Sequence, residues 1–343
     1  RQRQMCIRDR LYNQMEEART AVENEVLKRK ITSKYIDTQD YTAVIKKLRD
    51  FFEGRGFLEV HTQNRLSILA ACEDPTTITK FNYNGNVWPM PQTGQMWLEW
   101  EMLTHPDRAP GYYCVSTSYR NEPNPVEGRH ELIFPMFEFE LKGGMEELQK
   151  LEEDLLTHLG FGKEYFKFNT VTDQPNEVTT NFGNVNSGVT YPQIDYDDAK
   201  EKYGVDELEN EHEELLCKEN GSVCLLKNFP NTTSPFWNMR QNDQKSHANK
   251  IDVLLHGMET IGSAERSTDV EEMRKQFHNI SDGGYADILY DNFTKERVDK
   301  ELDDFLSFNF FPRSGGGIGV TRLIRAMKLS KILHDDKESH KTL

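Results

Sequence analysis

The chain has 343 residues, with 42 Lys and Arg against 57 Asp and Glu, for a formal net charge of −15. That length supplies one large domain or two small ones, and so acidic a surface excludes broad nucleic-acid binding while leaving room for a local basic patch. No apolar run reaches the roughly 18 residues of a membrane span, the N-terminus lacks the apolar centre of a signal peptide, and five cysteines with no CxxC pair fit reduced cytoplasmic thiols better than a disulfide frame or zinc site.

Residues 1–10 (RQRQMCIRDR) lack a starting Met and any periodicity, and are expected to be a non-native scar. Residues 11–39 read as an N-terminal extension containing a polar, charged helix at 11–30, and residues 40–343 as the main domain. Val44, Ile45, Leu48, Phe51 and Phe52 predict a helix over 41–53, closed by Gly54 and Gly56; FLEV at 57–60 then starts a strand. QTGQMWLE at 92–99 opens an apolar helical stretch. Strands are expected at 112–122 and 132–141; in the second, Ile133, Phe137, Phe139 and Leu141 share one face, and Phe134, Met136, Glu138 and Glu140 the other. Residues 145–159 predict an amphipathic helix, 170–195 a loop, 196–220 an acidic helical insertion and 250–266 a β-hairpin. Helices are expected at 270–279 and 297–308, and a Gly-rich turn at 314–319 feeding a helix at 321–333. Mixed elements without regular strand–helix alternation favour an α+β fold on an antiparallel sheet.

Four segments carry groups suited to chemistry. YRNE at 119–122 and the proline-broken loop to Arg129, His130 and Phe134 supply two guanidiniums, an imidazole and an aromatic, which suits phosphate oxygens and a stacked base; a surface ion-pair network has the same letters. In IDVLLHGME at 251–259, a two-residue turn at His256-Gly257 sets Leu254 opposite Glu259, with Asp252 diagonal on the same face. Two such carboxylates can share a hard cation, or be unrelated surface acids. SGGGIGVTR at 314–322 puts glycines before a helix N-terminus with Arg322 one turn inside, where a phosphate would sit. Gln95 and Glu99 suit a polar amino-acid substrate, or merely open a helix.

The order GFLEV, TGQMWLE, YRNE…RHELIFPMFEFE, DVLLHGMETIGSAER and GGGIGVTRL resembles the class II aminoacyl-tRNA synthetases of the aspartate/asparagine/lysine subgroup over roughly residues 40–333. The resemblance implies a six-stranded antiparallel sheet flanked by helices and a homodimer. Its substrates would be ATP with Mg2+, aspartate or asparagine, and tRNA. Position by position, it implies that Arg120 holds the α-phosphate and that Glu122, Arg129 and His130 secure ATP. Phe134 would stack on adenine, and Arg322 would meet its other face and the γ-phosphate. Asp252 and Glu259 would ligate the metal, Glu73 the substrate ammonium, and Gln95 and Arg266 the rest of the amino acid. The aspartate enzymes have Lys where this chain has Leu98, whereas the asparagine enzymes have an apolar residue followed by Glu, as in Leu98-Glu99; this tilts the pocket toward asparagine.

The chain departs from the family pattern at three places. Gln63 follows Thr62 where a Pro is usual at the dimer interface, and Thr321 precedes Arg322 where an acid is usual. The segment before residue 40 is too short and irregular for the usual anticodon-binding barrel. GGGIG also resembles the ammonia-dependent asparagine synthetases, so aspartyl-adenylate attacked by ammonia is a second reading, and a non-catalytic regulatory paralogue a third.

Overall fold

A computed structural model describes residues 36–63, 66–69, 75–123, 125–126, 129–162 and 191–333. The expected helix at 11–30, the expected scar at 1–10 and most of the expected loop at 170–195 lie outside the described residues.

The chain first forms helix α1 (Thr38–Glu53), whose N-cap Asp37 accepts from the N–H groups of Gln39 and Asp40. Its five apolar residues at helical spacing are all buried. Strand β1 (Leu58–Glu59) and a small hairpin, β2 (Lys80–Tyr83) with β3 (Asn86–Pro89), precede helix α2 (Gln95–Thr104). Strands β4 (Gly111–Tyr119) and β5 (Ile133–Lys142) pair antiparallel and lead into α3 (Met145–Leu159). After β6 (Gln193–Asp195), the insertion forms two helices, α4 (Tyr196–Tyr203) and α5 (Asn210–Asn220), before β7 (Val223–Pro230). Strands β8 (His247–Leu255) and β9 (Glu259–Arg266) make the expected hairpin. Helices α6 (Val270–Asn279), α7 (Gly284–Phe293) and α8 (Lys295–Leu306) form a bundle; β10 (Arg313–Gly319) and α9 (Val320–Leu329) follow.

The sheet order is β1-β4-β5-β10-β9-β8-β7-β6. This corrects the expectation of six strands. The six central strands are antiparallel, but β1 pairs parallel with β4 and β6 parallel with β7, giving eight strands in a mixed sheet. Of the added edge strands, β1 falls within the strand expected at 57–60, whereas β6 has three residues in the expected loop, too few for an alternating pattern to register in sequence.

The Gly-rich segment is a second correction: residues 313–319 are a central strand, not a turn. A Cβ at Gly315 would lie 2.3 Å from Phe139 O and from the Glu140 carboxyl, and one at Gly316 2.6 Å from Ser263 Cβ. The glycines are there because neighbouring strands and their acids press close on both faces.

Helices α1, α3 and α9 cover one face of the sheet around Phe137, Phe139, Leu225, Val253, Ile261 and Ile318. The opposite face is covered only in parts. Helix α2 packs over Tyr112 and Cys114, the α6–α8 bundle packs near Ala248 and Ala264, and α4 and α5 pack over Leu226 and Leu254. Between these patches the middle strands are left open.

Candidate active site

One register row crosses the open face: Cys114, Glu138, Gly317, Gly262 and Asp252. Side chains in such a row point the same way, so the two glycines leave bare backbone between two acids. A Cβ at Gly262 would lie 2.6 Å from Glu259 Oε1 and 3.5 Å from Asp252 Oδ1. Both carboxylates therefore lean over the same glycine. The turn forms as its sequence suggests: His256 and Gly257 both have positive φ, Leu255 N–H donates to Met258 O, and Leu254 pairs with Glu259; beyond it the register shifts by one residue at Thr260, so Asp252 pairs with Gly262 rather than Ile261. Two carboxylates on one spot fit a hard cation that takes its remaining oxygens from phosphate and water. Among the described residues, no group of three or more His, Cys, Asp and Glu could hold a metal unaided.

Cations face these acids across a cavity whose walls include Arg120, Glu122, Arg129, His130, Phe134, Glu259, Arg322 and Arg325. Arg120 follows β4, where its backbone N–H donates to Leu132 O. Its Nε is buried with no hydrogen-bond partner among the described residues, and its guanidinium carbon lies 5.5 Å from the Phe134 ring centroid. Arg322, in the first turn of α9, donates through Nη1 to Glu259 O at 2.7 Å and lies 3.5 Å from Glu259 Oε2. Its Nη2 donates to Arg129 O at 3.4 Å. Arg129 pairs with Glu213 of α5. Lys250 Nζ sits 3.4 Å from Asp252.

This field sets the charge states. Burial opposes the charged form of Glu259, but Lys250, Arg322, Arg120 and Arg129 outweigh it and hold its carboxyl below the ordinary value. Burial, helped by the three arginines against Glu122, pushes His130 below its ordinary value.

A second cluster lies further along the same face, with Glu140 one register row on and Arg266 and Arg313 two rows on, and is sealed. Glu99 Oε2 pairs with Arg313 Nη2 at 2.7 Å, and Glu140 Oε1 with Arg266 Nη2 at 2.5 Å. Arg266 Nε is 3.8 Å from Glu99 Oε1, which also accepts from Gln95 at 2.9 Å and Asn238 at 2.6 Å. Arg266, Arg313, Glu99 and Glu140 are each at most 2% exposed. Next to this cluster, Glu138 accepts from the hydroxyls of Thr93 and Ser116 and the N–H of Gly94.

Seven of the residues singled out in the sequence, Arg120, Glu122, Arg129, His130, Phe134, Glu259 and Arg322, line one cavity, and Asp252 lies buried beside Gly262 of its wall. Gln95, Glu99 and Arg266 meet in the sealed cluster instead, and Glu73 lies outside the described residues. Sequence reading missed Arg313, Asn238, Lys250 and Glu213. Glu138 and Glu140 lie on the face opposite Phe137 and Phe139, as strand alternation leads one to expect, although both are buried. Only Lys250 had a usable signal, being two residues before Asp252 on the same strand face.

The family model for tRNA synthetases class II (D, K and N) matches residues 18–335. The aspartate–tRNA(Asp) ligase of Thermococcus kodakarensis is 24% identical over 310 residues, covering 83% of this chain and 63% of the ligase. The asparagine–tRNA ligase of Pelotomaculum thermopropionicum is 24% identical over 300 residues, covering 81% and 62%. The chain thus spans less than two thirds of the relatives it matches. Among solved structures, the asparaginyl-tRNA synthetase of Pyrococcus horikoshii complexed with asparaginyl-adenylate superposes with a TM-score of 0.63 at 20% identity, covering 86% of this chain and 65% of that one.

Proposed function

Because the chain belongs to the class II tRNA synthetases of the D, K and N type, we propose that its cavity binds ATP and adenylates aspartate or asparagine, with tRNA as the acyl acceptor. The observation that carries this reading is the convergence of Arg120, Arg129 and Arg322 with Asp252 and Glu259 around a bare glycine floor. Guanidiniums are suited to phosphate oxygens and the carboxylate pair to magnesium.

In this reading a carboxylate oxygen of the amino acid attacks the α-phosphorus, the bond to the bridging α–β oxygen breaks, and pyrophosphate leaves. Arg120, with its buried and unpaired Nε, holds the α-phosphate as charge builds on it. Phe134 stacks on adenine, Arg322 covers the opposite face and the γ-phosphate, and Glu122, Arg129 and His130 secure the nucleotide. Magnesium held by Asp252 and Glu259 would neutralise phosphate charge. No covalent enzyme intermediate is required; positioning supplies most of the rate.

The amino acid is assigned to the end of the cavity nearest Gln95, Glu99 and Arg266, with Glu73 receiving its ammonium. Glu99 and Glu140 already offset Arg266 and Arg313, so a neutral amide suits the pocket better than a second carboxylate. A cytoplasmic homodimer built on the 40–343 domain is the proposed working form.

The test is exchange of pyrophosphate into ATP. Exchange that requires asparagine or aspartate is expected, and none with any standard amino acid overturns the reading. Charging of tRNA, against release of free asparagine from aspartate and ammonium, separates the two acceptors.

A further inference from the structure

The acidic insertion at 196–220 has no part in the roles assigned so far, yet one of its carboxylates reaches the cavity wall. Helix α5 is seated firmly. Leu216 and Cys217 pack with Leu226, Cys224 and Leu254, and Glu214 Cα would lie 2.9 Å from a Cβ at Gly257, in the β8–β9 turn. One turn before Leu216 and Cys217, Glu213 Oε2 accepts from two separate parts of the site: the Arg129 guanidinium and the backbone N–H of Glu259, the latter at 3.2 Å. Arg129 also donates through Nη1 to Gly257 O at 3.4 Å. The side chains of Arg129 and Glu213 are 10% and 20% exposed.

The electrostatics explain why an acid is needed there. Arg120, Arg129, Arg322 and Arg325 crowd one wall. Burial and the proximity of Arg129 and Arg322 already push Arg325 below its ordinary value. Without a fixed counter-charge, Arg129 would swing away from its like-charged neighbours into solvent. Resting on the ATP reading above, we propose that Glu213 is a positioning residue of the nucleotide site: it holds Arg129 in the orientation that meets the triphosphate. The insertion is then a structural part of the ATP pocket.

A double-mutant cycle on the full chain tests this. In pyrophosphate exchange, Glu213→Ala and Arg129→Ala should each raise the KM for MgATP about tenfold, the effect of losing one charge-assisted hydrogen bond, with kcat within about twofold. The double variant should be no worse than Arg129→Ala alone. An unchanged KM in folded Glu213→Ala, or losses that add in the double variant, would overturn the proposal. If the alanine variant does not fold, Glu213→Gln keeps the shape and one acceptor while removing the charge, and the same cycle is read with it. Should the wild type exchange pyrophosphate with no amino acid, the adenylation reading fails alone, and calorimetric titration of the same variants with MgATP decides the role of Glu213. Equal affinity across the cycle, or no MgATP binding by the wild type, overturns it.

Discussion

Two groups of charged side chains share one face of the sheet and behave oppositely. At the open cavity, the Arg322 and Glu259 side chains are 30% and 37% exposed, and their closest charged atoms stand 3.5 Å apart. Further along the same face, Glu99 and Arg313 are fully buried at 2.7 Å, with Gln95 and Asn238 donating to Glu99 and Arg266 3.8 Å from it. The residue types are the same; what differs is whether charge is matched within the protein. In the proposed reading the open group receives a ligand that brings its own charge. The sealed group has spent its charges on itself, so it fixes shape and presents a nearly neutral wall.

The largest expected effect follows from the sealed group. Glu99→Ala would leave Arg313 and Arg266 buried with one carboxylate between them, and breaking such a pair costs about 3–5 kcal/mol. Thermal unfolding should show a marked drop in Tm; a Tm within a degree of wild type would mean that the cluster is not the sealed unit its geometry indicates. Arg322→Ala is the contrasting case. It removes a half-exposed group that mainly faces ligand, so Tm should hardly move while the kcat/KM of exchange for MgATP falls about a hundredfold, close to 2.7 kcal/mol of lost stabilisation. A large loss of Tm without loss of turnover would reverse the assignment of the two groups.

A third substitution probes how the groups are kept apart. At Gly315→Ala the new methyl would fall 2.3 Å from both Phe139 O and the Glu140 carboxyl. Overpacking of this kind costs about 1–3 kcal/mol. It should also disturb the Glu140–Arg266 pair, raising the KM for the amino acid more than that for MgATP. Equal changes in both KM values would show that the strain spreads through the sheet.

How much of this the sequence disclosed depended on how local the cause was. The His256-Gly257 turn fixes the pairing of Leu254 with Glu259, which a few letters make readable, but the register shift at Thr260 that sets Asp252 opposite Gly262 has no such local sign. The apolar faces of α1 and β5 were equally plain, since period decides them. The run SGGGIG was not, because nothing in those letters tells that Phe139, Glu140 and Ser263 crowd it into a strand. Arg313 and Glu213 escaped for the same reason: their partners, Glu99 and Arg129, are distant in the chain and meet them only in the folded sheet. Helix α7 went unread because Gly284 opens it and only four of its residues, Tyr285, Ala286, Leu289 and Phe293, are buried. The family resemblance supplied the roles of the cavity residues but not the sealed network beside it.

A pH-dependent effect extends the comparison to a third environment. Glu259, among open cations, lies below the ordinary carboxylate range. Glu140 is fully buried, and burial pushes it up to about 7 even though Arg266 pulls against the shift. Glu152 of α3 is buried on the other face of the sheet, with Ser263 and Lys227 as its moderating neighbours, and burial pushes it up to about 8. The folded chain therefore keeps a proton on Glu152 between the ordinary carboxylate pKa and about pH 8, where the unfolded chain has lost it. Stability attached to this group must then fall as pH rises through that window, by at most about 1.4 kcal/mol per pH unit. Glu152→Gln matches the protonated acid in shape and cannot titrate. The unfolding free energy of wild type minus that of the variant should accordingly decline from pH 5 to pH 8 and level off above it. Glu140 titrates in the same window but is present in both proteins, so its contribution cancels in the difference. Parallel pH profiles would mean that Glu152 is charged in the fold, with Lys227 as its true counter-ion.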